Sequence, residues 1–462
     1  MSWLQTQANE NPQKLFIQEG EKYSSYINVF RRVQDHSRAF LREGIQAHDR
    51  ILIYLPRGAQ MAEIILACFE IGAIATPISR KLTKSERKAV INIIQPRIII
   101  TNWDGRKDFH SIPFPLTCIE ELPGSSSGCS NLINKFEKNP DDVCAIILTS
   151  GTTGIPKAVQ LSYSNFETSC SNWNSFLQFE PTDQFLCCLP LHHIGGLAVL
   201  IRALLYGFSV NLVEEFQENI ILKNIQSHHV TIISLVPTML KRILDLNRGI
   251  DVLRSLRWIL LGGGPSPEYL LDICIKEKLN IVKVYGMSET CSGTFGLKLL
   301  EEPSNKFYAG RPFPGVKVWT ENDEIHISGP MIMKGYVGEK DANDTHNSHD
   351  LGKIDDDNLL FLHIRRKDLI VSGGENVNPI EVEESLMNIK GISDAAVVGK
   401  NDKEWGQKVT AYIVSIPIEN ELLHSELQKS LSPYKIPKEY IQVSYIPRNE
   451  LGKIMYEKLQ SL

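Results

Sequence analysis

Short apolar runs alternate with segments of helical periodicity from about residue 50 to residue 285. The first of these runs is followed by a helical pattern at about 59–70, and each run has the length and residue types of a strand. The predicted strands lie at 50–55, 96–101, 143–148, 230–235, 256–261 and 280–285. Because the runs are apolar on both faces and alternate with helices, they predict parallel sheets covered by helices on both sides. Ligands of such sheets bind beyond the carboxyl ends of the strands.

The pattern changes from Glu324 onward, where shorter segments alternate between apolar and polar residues and predict a small β-barrel-like part. Its predicted strands lie at 324–328 and 359–363. After Lys367 the pattern is that of a compact α+β unit. This unit has a predicted helix at about 379–388 and predicted strands at 395–398 and 408–414. We therefore predict an α/β protein with a large N-terminal domain at 1–366 and a small C-terminal domain at 367–462.

Composition and charge exclude several classes of protein. The chain has 462 residues, too many for one ordinary core, and its 42% hydrophobic and 22% charged residues are typical of a globular protein. A net charge of -5 without a long Lys/Arg run argues against a nucleic-acid partner. The apolar stretch 64–78 contains Glu70 and Pro77, so it is too short and too interrupted to span a bilayer. It predicts a buried helix that leads into a strand.

The beginning of the chain and its cysteines favour a cytoplasmic location. Residues 1–7 are largely polar and lack the charged and apolar regions of a signal peptide. The nine cysteines are scattered and form no CxxC pair, which indicates neither a zinc site nor a disulfide framework. We therefore expect reduced thiols and no integral membrane association, and we leave open whether the protein forms a homo-oligomer.

A loop of small and hydroxyl residues follows the strand predicted at 143–148. It consists of Thr149, Ser150, Gly151, Thr152, Thr153, Gly154, Ile155, Pro156 and Lys157. Glycine and hydroxyl residues let backbone N–H groups approach a phosphate, and Lys157 adds positive charge. The loop is not a Walker loop, because Lys157 does not directly follow the last glycine and no Ser or Thr follows it. Judged by composition alone, a surface turn is the alternative interpretation.

Further motifs follow this loop in order. They are PLHHIGG at 190–196, LGGGP at 261–265, YGMSET at 285–290, HDLG at 349–352, RRKD at 365–368, SGGEN at 372–376 and GK at 452–453. Together they resemble the motifs of the acyl-adenylate-forming superfamily of acyl-CoA synthetases, nonribosomal adenylation domains and luciferases, over residues 10–460. The resemblance implies an ATP-dependent, AMP-forming ligase that activates a carboxylic acid and passes it to a thiol. It implies ATP, Mg²⁺ and coenzyme A as cofactor and co-substrates.

The resemblance also implies roles for individual residues. Lys453 is expected to bridge the reacting carboxylate and the α-phosphate, Glu289 to bind Mg²⁺, and Ser288 to stand where the superfamily usually has Thr. Tyr285 is expected to stack on adenine, and Asp350 to accept the ribose hydroxyls. The residues implied in binding ATP or coenzyme A are Thr149, Ser150, Gly151, Thr152, Thr153, Gly154, Lys157, Gly262, Gly263, Gly264, Tyr285, Gly286, Ser288, Asp350, Arg365, Lys367, Gly373 and Gly374.

Two half-reactions in one pocket require a gating motion. By resemblance, Lys367 is the hinge about which a mobile C-terminal domain rotates. The domain first presents Lys453 for adenylation and then offers Gly373 and Gly374 to the pantetheine arm of coenzyme A.

Besides Ser288, His192 departs from the pattern, since Phe is common at its position in the motif at 190–196, and two further departures lie beside Asp350 and Arg365. His349 stands where Gly usually precedes Asp350, and Ile364 stands where Gly usually precedes Arg365. These departures concern the local shape of the loops, and the charged residues are retained.

Within the superfamily, the motifs around 190–197, 204–207 and 285–292 most resemble those of the o-succinylbenzoate–CoA ligases of menaquinone or phylloquinone biosynthesis. That acid has two carboxylates, of which one reacts and the other must be held. The resemblance implies catalytic roles for Lys453, Glu289 and His193, and acyl binding by His193, Arg202, Gly286 and Ser292.

Several alternatives remain open at this point. Arg202 lies in an apolar stretch and either binds the second carboxylate or extends to the surface. We do not expect a metal at His192 and His193, because adjacent side chains on a regular element diverge and no third ligand lies nearby in the sequence. Other acyl-CoA ligases, carrier-loading adenylation proteins and a non-catalytic nucleotide-binding relative are the competing functions.

Overall fold

A computed structural model of the chain describes residues 2–110, 113–122, 139–149, 156–339, 342–363, 370–372, 375–402, 405–450, 452 and 454–459. The strands, numbered along the chain, are β1 Leu15–Glu19, β2 Lys22–Ser25, β3 Arg50–Tyr54, β4 Ile74–Pro77, β5 Ile98–Thr101, β6 Leu116–Cys118, β7 Val143–Thr149, β8 Lys157–Ser162, β9 Gln184–Cys187, β10 Ser209–Leu212, β11 Ile232–Leu235, β12 Trp258–Leu261, β13 Ile281–Met287, β14 Ser292–Lys298, β15 Arg311–Pro312, β16 Lys317–Glu321, β17 Glu324–Ser328, β18 Gly335–Tyr336, β19 Thr345–Ile354, β20 Leu360–His363, β21 Ile370–Ser372, β22 Glu375–Val377, β23 Ile392–Asp402, β24 Gly406–Ser415 and β25 Glu439–Gln442.

The α-helices are α1 Trp3–Glu10, α2 Tyr26–Arg42, α3 Ala59–Ile71, α4 Lys84–Ile94, α5 Trp103–Arg106, α6 Tyr163–Leu177, α7 Ile194–Tyr206, α8 Glu218–Ser227, α9 Pro237–Leu244, α10 Gly249–Arg254, α11 Glu268–Lys276, α12 Pro379–Met387, α13 Asn420–Leu427 and α14 Tyr456–Leu459. Over the described ranges, none of the helices combines the length and the apolar character needed to cross a membrane.

Two large sheets form the first part of the chain. One has seven strands in the order β18-β8-β7-β4-β3-β5-β6, and the other has nine in the order β15-β14-β13-β12-β11-β9-β10-β1-β2. The central strands are parallel, as predicted, whereas the pairs β7–β8 and β13–β14 are antiparallel. The alternation of apolar runs with helical segments predicted the parallel strands, because consecutive parallel strands are connected through helices. The antiparallel pairs lack this alternation and were not predicted.

Both faces of strand β3 are buried, which explains the apolar residues at successive positions. Ile51 and Ile53 pack into the core between the sheets, while Leu52 and Tyr54 pack against α4 on the opposite face. Successive side chains of a strand point to opposite faces, so a strand covered on both faces needs apolar residues at every position.

The rest of the chain forms two smaller units. Strands β16, β17, β19 and β20 make an antiparallel sheet in the region predicted to be a small β part. Strands β21 to β25 make the last sheet, which packs with α12 and α13 around a core drawn from residues 370–436. A smaller cluster, from Ala396 to Leu459, covers its other side.

Strands β13 and β14 approach each other closely at two glycines. Gly286 and Gly293 are paired across the strands, with a register shift beside them. A Cβ atom on Gly286 would overlap the carbonyl oxygen of Ser292, and one on Gly293 would overlap Val284 and Trp173. Gly286 therefore permits the close approach of the two backbones, and Gly293 leaves room for the side chains of Val284 and Trp173.

We predict that Gly286→Ala lowers the free energy of unfolding by about 1–3 kcal/mol, because the new methyl group would push β14 away from β13. Chemical denaturation of the purified variant measures this change. Gly264→Ala is the matched control, since a Cβ atom there meets nothing within 4 Å. Equal stability of the two variants would contradict the close approach.

Candidate active site

The candidate site lies at the carboxyl ends of the central strands, where the sequence placed it. Arg57 follows β3, Ser79 follows β4, His192 follows β9 and Thr238 follows β11. All four lie against a loop of the C-terminal unit: Glu450 contacts Arg57, Ser79 and His192, and a Cβ atom on Gly452 would overlap Thr238 Oγ1. The two large sheets and the C-terminal unit therefore meet at one place.

Part of the predicted site lies outside the described residues. These positions are Ser150, Gly151, Thr152, Thr153, Gly154, Ile364, Arg365, Lys367, Gly373, Gly374 and Lys453. The described neighbours of the hydroxyl-rich loop are Thr149 and Lys157, which face each other across β7 and β8.

Tyr336 joins Lys157 to Glu289. The Lys157 ammonium lies 4.5 Å from the centre of the Tyr336 ring, and the Tyr336 hydroxyl donates to Glu289 Oε1 at 2.9 Å. Burial, together with the charge and hydrogen bond of Glu289, raises the pKa of Tyr336, so its hydroxyl remains a donor. Tyr336 had not been predicted from the sequence, because β18 is brought to Glu289 only by pairing with β8.

The surroundings of Glu289 fit a magnesium ion. Ser288 and Glu289 lie in a short 3-10 turn that Thr290 holds through a hydrogen bond from the Met287 N–H to Thr290 Oγ1. Tyr336 occupies one carboxylate oxygen, and no described residue hydrogen-bonds to the other. Magnesium is usually held by one or two carboxylates together with phosphate oxygens and water, so a single oriented carboxylate suits it.

Tyr285 and Asp350, the residues expected at adenine and ribose, lie in contact with each other. The Tyr285 hydroxyl donates to Asp350 Oδ2 at 2.7 Å. Gly262 lies beside the same strand, where a Cβ atom would be 3.0 Å from the Val284 carbonyl oxygen, and Gly263 has a left-handed φ of +81°. Burial lowers the pKa of His346, and the charges of Glu289 and Asp350 oppose this shift.

His349 adopts a left-handed backbone conformation. Its φ is +55°, in the left-handed region that glycine adopts without strain. The Asn347 side chain accepts a hydrogen bond from the His349 N–H at 2.8 Å and so supports this conformation. A histidine at this position is therefore compatible with a left-handed turn immediately before Asp350.

Arg202 is buried, which rules out the surface alternative. Its side chain is 2% exposed, its guanidinium lies 4.2 Å from the centre of the Trp173 ring, and its Nη2 donates to Ser292 Oγ at 2.7 Å. Its Nε has no hydrogen-bond partner, and no ion pair to an acid is found for it among the described residues. Burial lowers the pKa of Arg202. The cation is thus held by neutral groups.

Ser292 orients Arg202. Its hydroxyl accepts from Arg202 and from Trp173 Nε1, the latter at 3.1 Å, and it lies 3.3 Å from the Ser169 hydroxyl. Ser292 and the preceding Cys291 have left-handed φ angles of +94° and +51°. Such strain in residues other than glycine is concentrated at functional sites. Trp173 and Ser169 lie on α6, far from Ser292 in the sequence, and were not predicted.

The geometric reasons given against a metal at the histidines are wrong. His192 and His193 precede α7 in an irregular turn, so their rings lie 4.5 Å apart, and Glu450 is the third possible ligand within 4.8 Å. Arg57 Nη2, however, lies 2.5 Å from the Glu450 oxygen nearest His192. Since this guanidinium would repel a metal ion, the group is better described as an ion-pair network.

Comparison with known proteins agrees with this architecture. The model of the AMP-binding enzyme family matches residues 4–337, and that of the AMP-binding enzyme C-terminal domain matches residues 381–453. The chain is 32% identical to the 2-succinylbenzoate–CoA ligase of Bacillus licheniformis, with 99% of each protein covered.

Two solved structures of the o-succinylbenzoate CoA synthetase (MenE) of Bacillus subtilis are also similar, each 30% identical. The complex with the acyl-adenylate intermediate OSB-AMP has a TM-score of 0.91 and covers 99% of this chain and 97% of that one. The complex with ATP and magnesium ion has a TM-score of 0.89 and covers 99% of both chains. This chain therefore belongs to the AMP-binding enzyme family.

Proposed function

We propose that the chain is an ATP-dependent, AMP-forming ligase that converts o-succinylbenzoate into its coenzyme A thioester, as in menaquinone or phylloquinone biosynthesis. The observation that carries the proposal is the convergence of the Glu450–Gly452 loop with the loops at the carboxyl ends of both large sheets. Similarity over 99% of the chain to ligases of that acid supports the choice of substrate.

The reaction has two steps. An oxygen of the reacting carboxylate attacks the α-phosphorus of ATP, the bond to the pyrophosphate oxygen breaks, and the acyl-adenylate forms. The sulfur of coenzyme A then attacks the acyl carbon, AMP leaves, and the thiol proton passes to solvent. Magnesium held by Glu289 would neutralise charge on the phosphates.

The residues of the chain would position the reactants. Lys453 would stabilise charge at the α-phosphate, Lys157 would hold the outer phosphates, and Asp350 would hold the ribose beside Tyr285. His193, at the start of α7, would border the acyl group. Gly286 and Ser288 would leave room for the adenylate at the end of β13.

We further propose that the chain divides into domains at 1–366 and 367–462, with Lys367 as the hinge. In support, the last sheet has cores of its own, built entirely from residues 370–459. Rotation about the hinge would replace the Lys453 loop by the face that contains Gly373 and Gly374, through which coenzyme A would enter.

Arg202 is the proposed ligand of the second carboxylate. A buried cation is costly unless it is paired, and Arg202 is held by a hydroxyl and an aromatic ring instead of an acid. A substrate carboxylate would provide the missing negative charge. Ser292 would then contribute by orienting Arg202.

The proposed partners are small molecules: the acid, ATP and coenzyme A. We place the reaction in the cytoplasm, where thiols are kept reduced. In support, the eight cysteines within the described ranges are all free and buried.

We predict that Lys453→Ala reduces acid-dependent pyrophosphate exchange by about 100-fold or more, because a preorganised charge at the α-phosphate is lost. The same variant should still convert a supplied acyl-adenylate and coenzyme A into thioester. Lys429→Ala removes a lysine from an exposed pair with Glu426 and serves as control. Full exchange activity in Lys453→Ala would refute the proposed chemistry.

We predict that Arg202→Ala lowers kcat/KM for o-succinylbenzoate by about 100-fold, because one or two charge-assisted hydrogen bonds are lost. The matched substrate is 3-benzoylpropionate, which lacks the benzoate carboxylate and should react equally slowly with both enzymes. Steady-state AMP release measures all four combinations. An equal loss on both acids would show that Arg202 has a structural role only.

We predict that Tyr336→Phe raises the magnesium concentration needed for half-maximal pyrophosphate exchange by about tenfold, because Glu289 is no longer oriented. The ring that faces Lys157 is retained in this variant, whereas Tyr336→Leu removes it as well and should also weaken ATP binding in calorimetry without magnesium. An unchanged magnesium requirement in Tyr336→Phe would contradict the proposed role.

A further inference from the structure

The loop that precedes Lys453 is fixed to the C-terminal unit at its base. Arg448 Nη2 donates to Asp394 Oδ1 at 2.7 Å, and Arg448 Nη1 donates to the Gly452 carbonyl oxygen at 3.0 Å. Arg448 and Ile454 form a β-bridge that closes the loop. Its shape is therefore set within the C-terminal unit.

At the tip of the same loop, the Glu450 side chain contacts the large N-terminal part, and Gly452 lies against Thr238 beside it. One carboxylate oxygen accepts from Arg57 Nη2 at 2.5 Å and lies 3.0 Å from His192 Nε2. The other oxygen accepts from the Ser79 hydroxyl at 2.9 Å, and the Lys81 ammonium is 3.9 Å away. Three separate loops of the N-terminal part thus hold one carboxylate.

Arg57 provides the main compensating charge of this contact, because burial lowers the pKa of His192 and so favours the neutral imidazole. The exposed fractions of the Glu450, Arg57 and His192 side chains are 13%, 17% and 6%. Water therefore has little access to the contacts between these side chains. Burial alone would raise the pKa of Glu450, but the proximity of His192, Arg57 and Ser79 outweighs it and holds the pKa well below its usual value. The contact therefore favours the ionised form of Glu450.

The residue type at position 192 suits the contact with Glu450. His192 stands where Phe is common in this motif, and a phenyl ring could not compensate a carboxylate. Its replacement by an imidazole provides a polar partner at the point where Glu450 enters.

We propose that Glu450 is a positioning residue that docks the C-terminal loop for adenylation and must leave Arg57, Ser79 and His192 before thioester formation. This inference rests on the proposed two-step function. Glu450 lies three residues before Lys453 in the sequence, so its attachment limits where Lys453 can be. The docking contact is ionic, and it has to be broken in each turnover.

The test compares the two half-reactions of Glu450→Ala and Glu450→Gln. Loss of a charge-assisted hydrogen bond corresponds to about tenfold or more in equilibrium, so pyrophosphate exchange should fall by about that factor in Glu450→Ala. Thioester formation from supplied acyl-adenylate should be unchanged or faster, because the competing docked state is weakened. Glu450→Gln, which can still bond to Ser79, should lose less.

Glu426→Gln removes a carboxylate from an exposed pair on α13 and is the matched control, with both half-reactions unchanged. His192→Phe restores the residue common in the motif and should lower exchange less than Glu450→Ala, because Arg57 and Ser79 remain. Equal loss in both half-reactions, or no loss in exchange, for Glu450→Ala would overturn the proposal. If the unmodified enzyme shows no exchange with o-succinylbenzoate, the proposed function fails instead.

A structural readout separates docking from chemistry. Spin labels at Trp103→Cys and Ile416→Cys would report the distance between the N-terminal and C-terminal parts, since both positions are 64% exposed. We expect a broader distance distribution in Glu450→Ala than in Glu426→Gln. Identical distributions would overturn the docking role.

Discussion

The arrangement of this molecule depends on the meeting of the carboxyl ends of two parallel sheets. In a parallel sheet, every connection leaves from the same edge, so functional loops accumulate there. Here the loops after β3 and β4 of one sheet lie beside those after β9 and β11 of the other, and Glu450 touches three of these loops. The site is therefore formed by several loops together. The packing of the two sheets against their shared core fixes the geometry of the site.

Regular periodicity made the central part of the fold predictable. The central strands are apolar because they are covered on both faces, and their observed bounds differ from the predicted ones by only a few residues, as at β11 and β12. The antiparallel strands β8 and β14 were not predicted, because their pairing depends on hairpins and on facing glycines. The helix at 59–70 and the strand after it were also correct, since α3 leads into β4.

The candidate site was predictable only where one stretch of sequence contains the chemistry. Tyr285 and Asp350 were singled out through their motifs, and the structure adds that they form a hydrogen bond with each other. No sequence motif marks Tyr336, Trp173 or Arg57 as site residues. Tertiary packing brings each of them to the site. The proximity of His192, His193 and Glu450 was missed for the same reason, because spacing in sequence cannot reveal a ligand more than two hundred residues away.

Glu450 and Arg202 are two buried charged residues of this site with opposite surroundings, and the difference indicates the role of each. Glu450 is surrounded by Arg57, His192 and Ser79, so its charge is compensated by the protein itself and favours one arrangement of the chain. Arg202 is more deeply buried, yet its partners among the described residues include no acid: they are the Ser292 hydroxyl, the Trp173 ring and the Cys170 thiol, and the backbone at Ser292 is strained. Backbone strain and an uncompensated cation both cost stability. Their retention is accounted for if a ligand supplies the opposite charge, whereas the compensated carboxylate needs no ligand and is suited to joining one part of the enzyme to another.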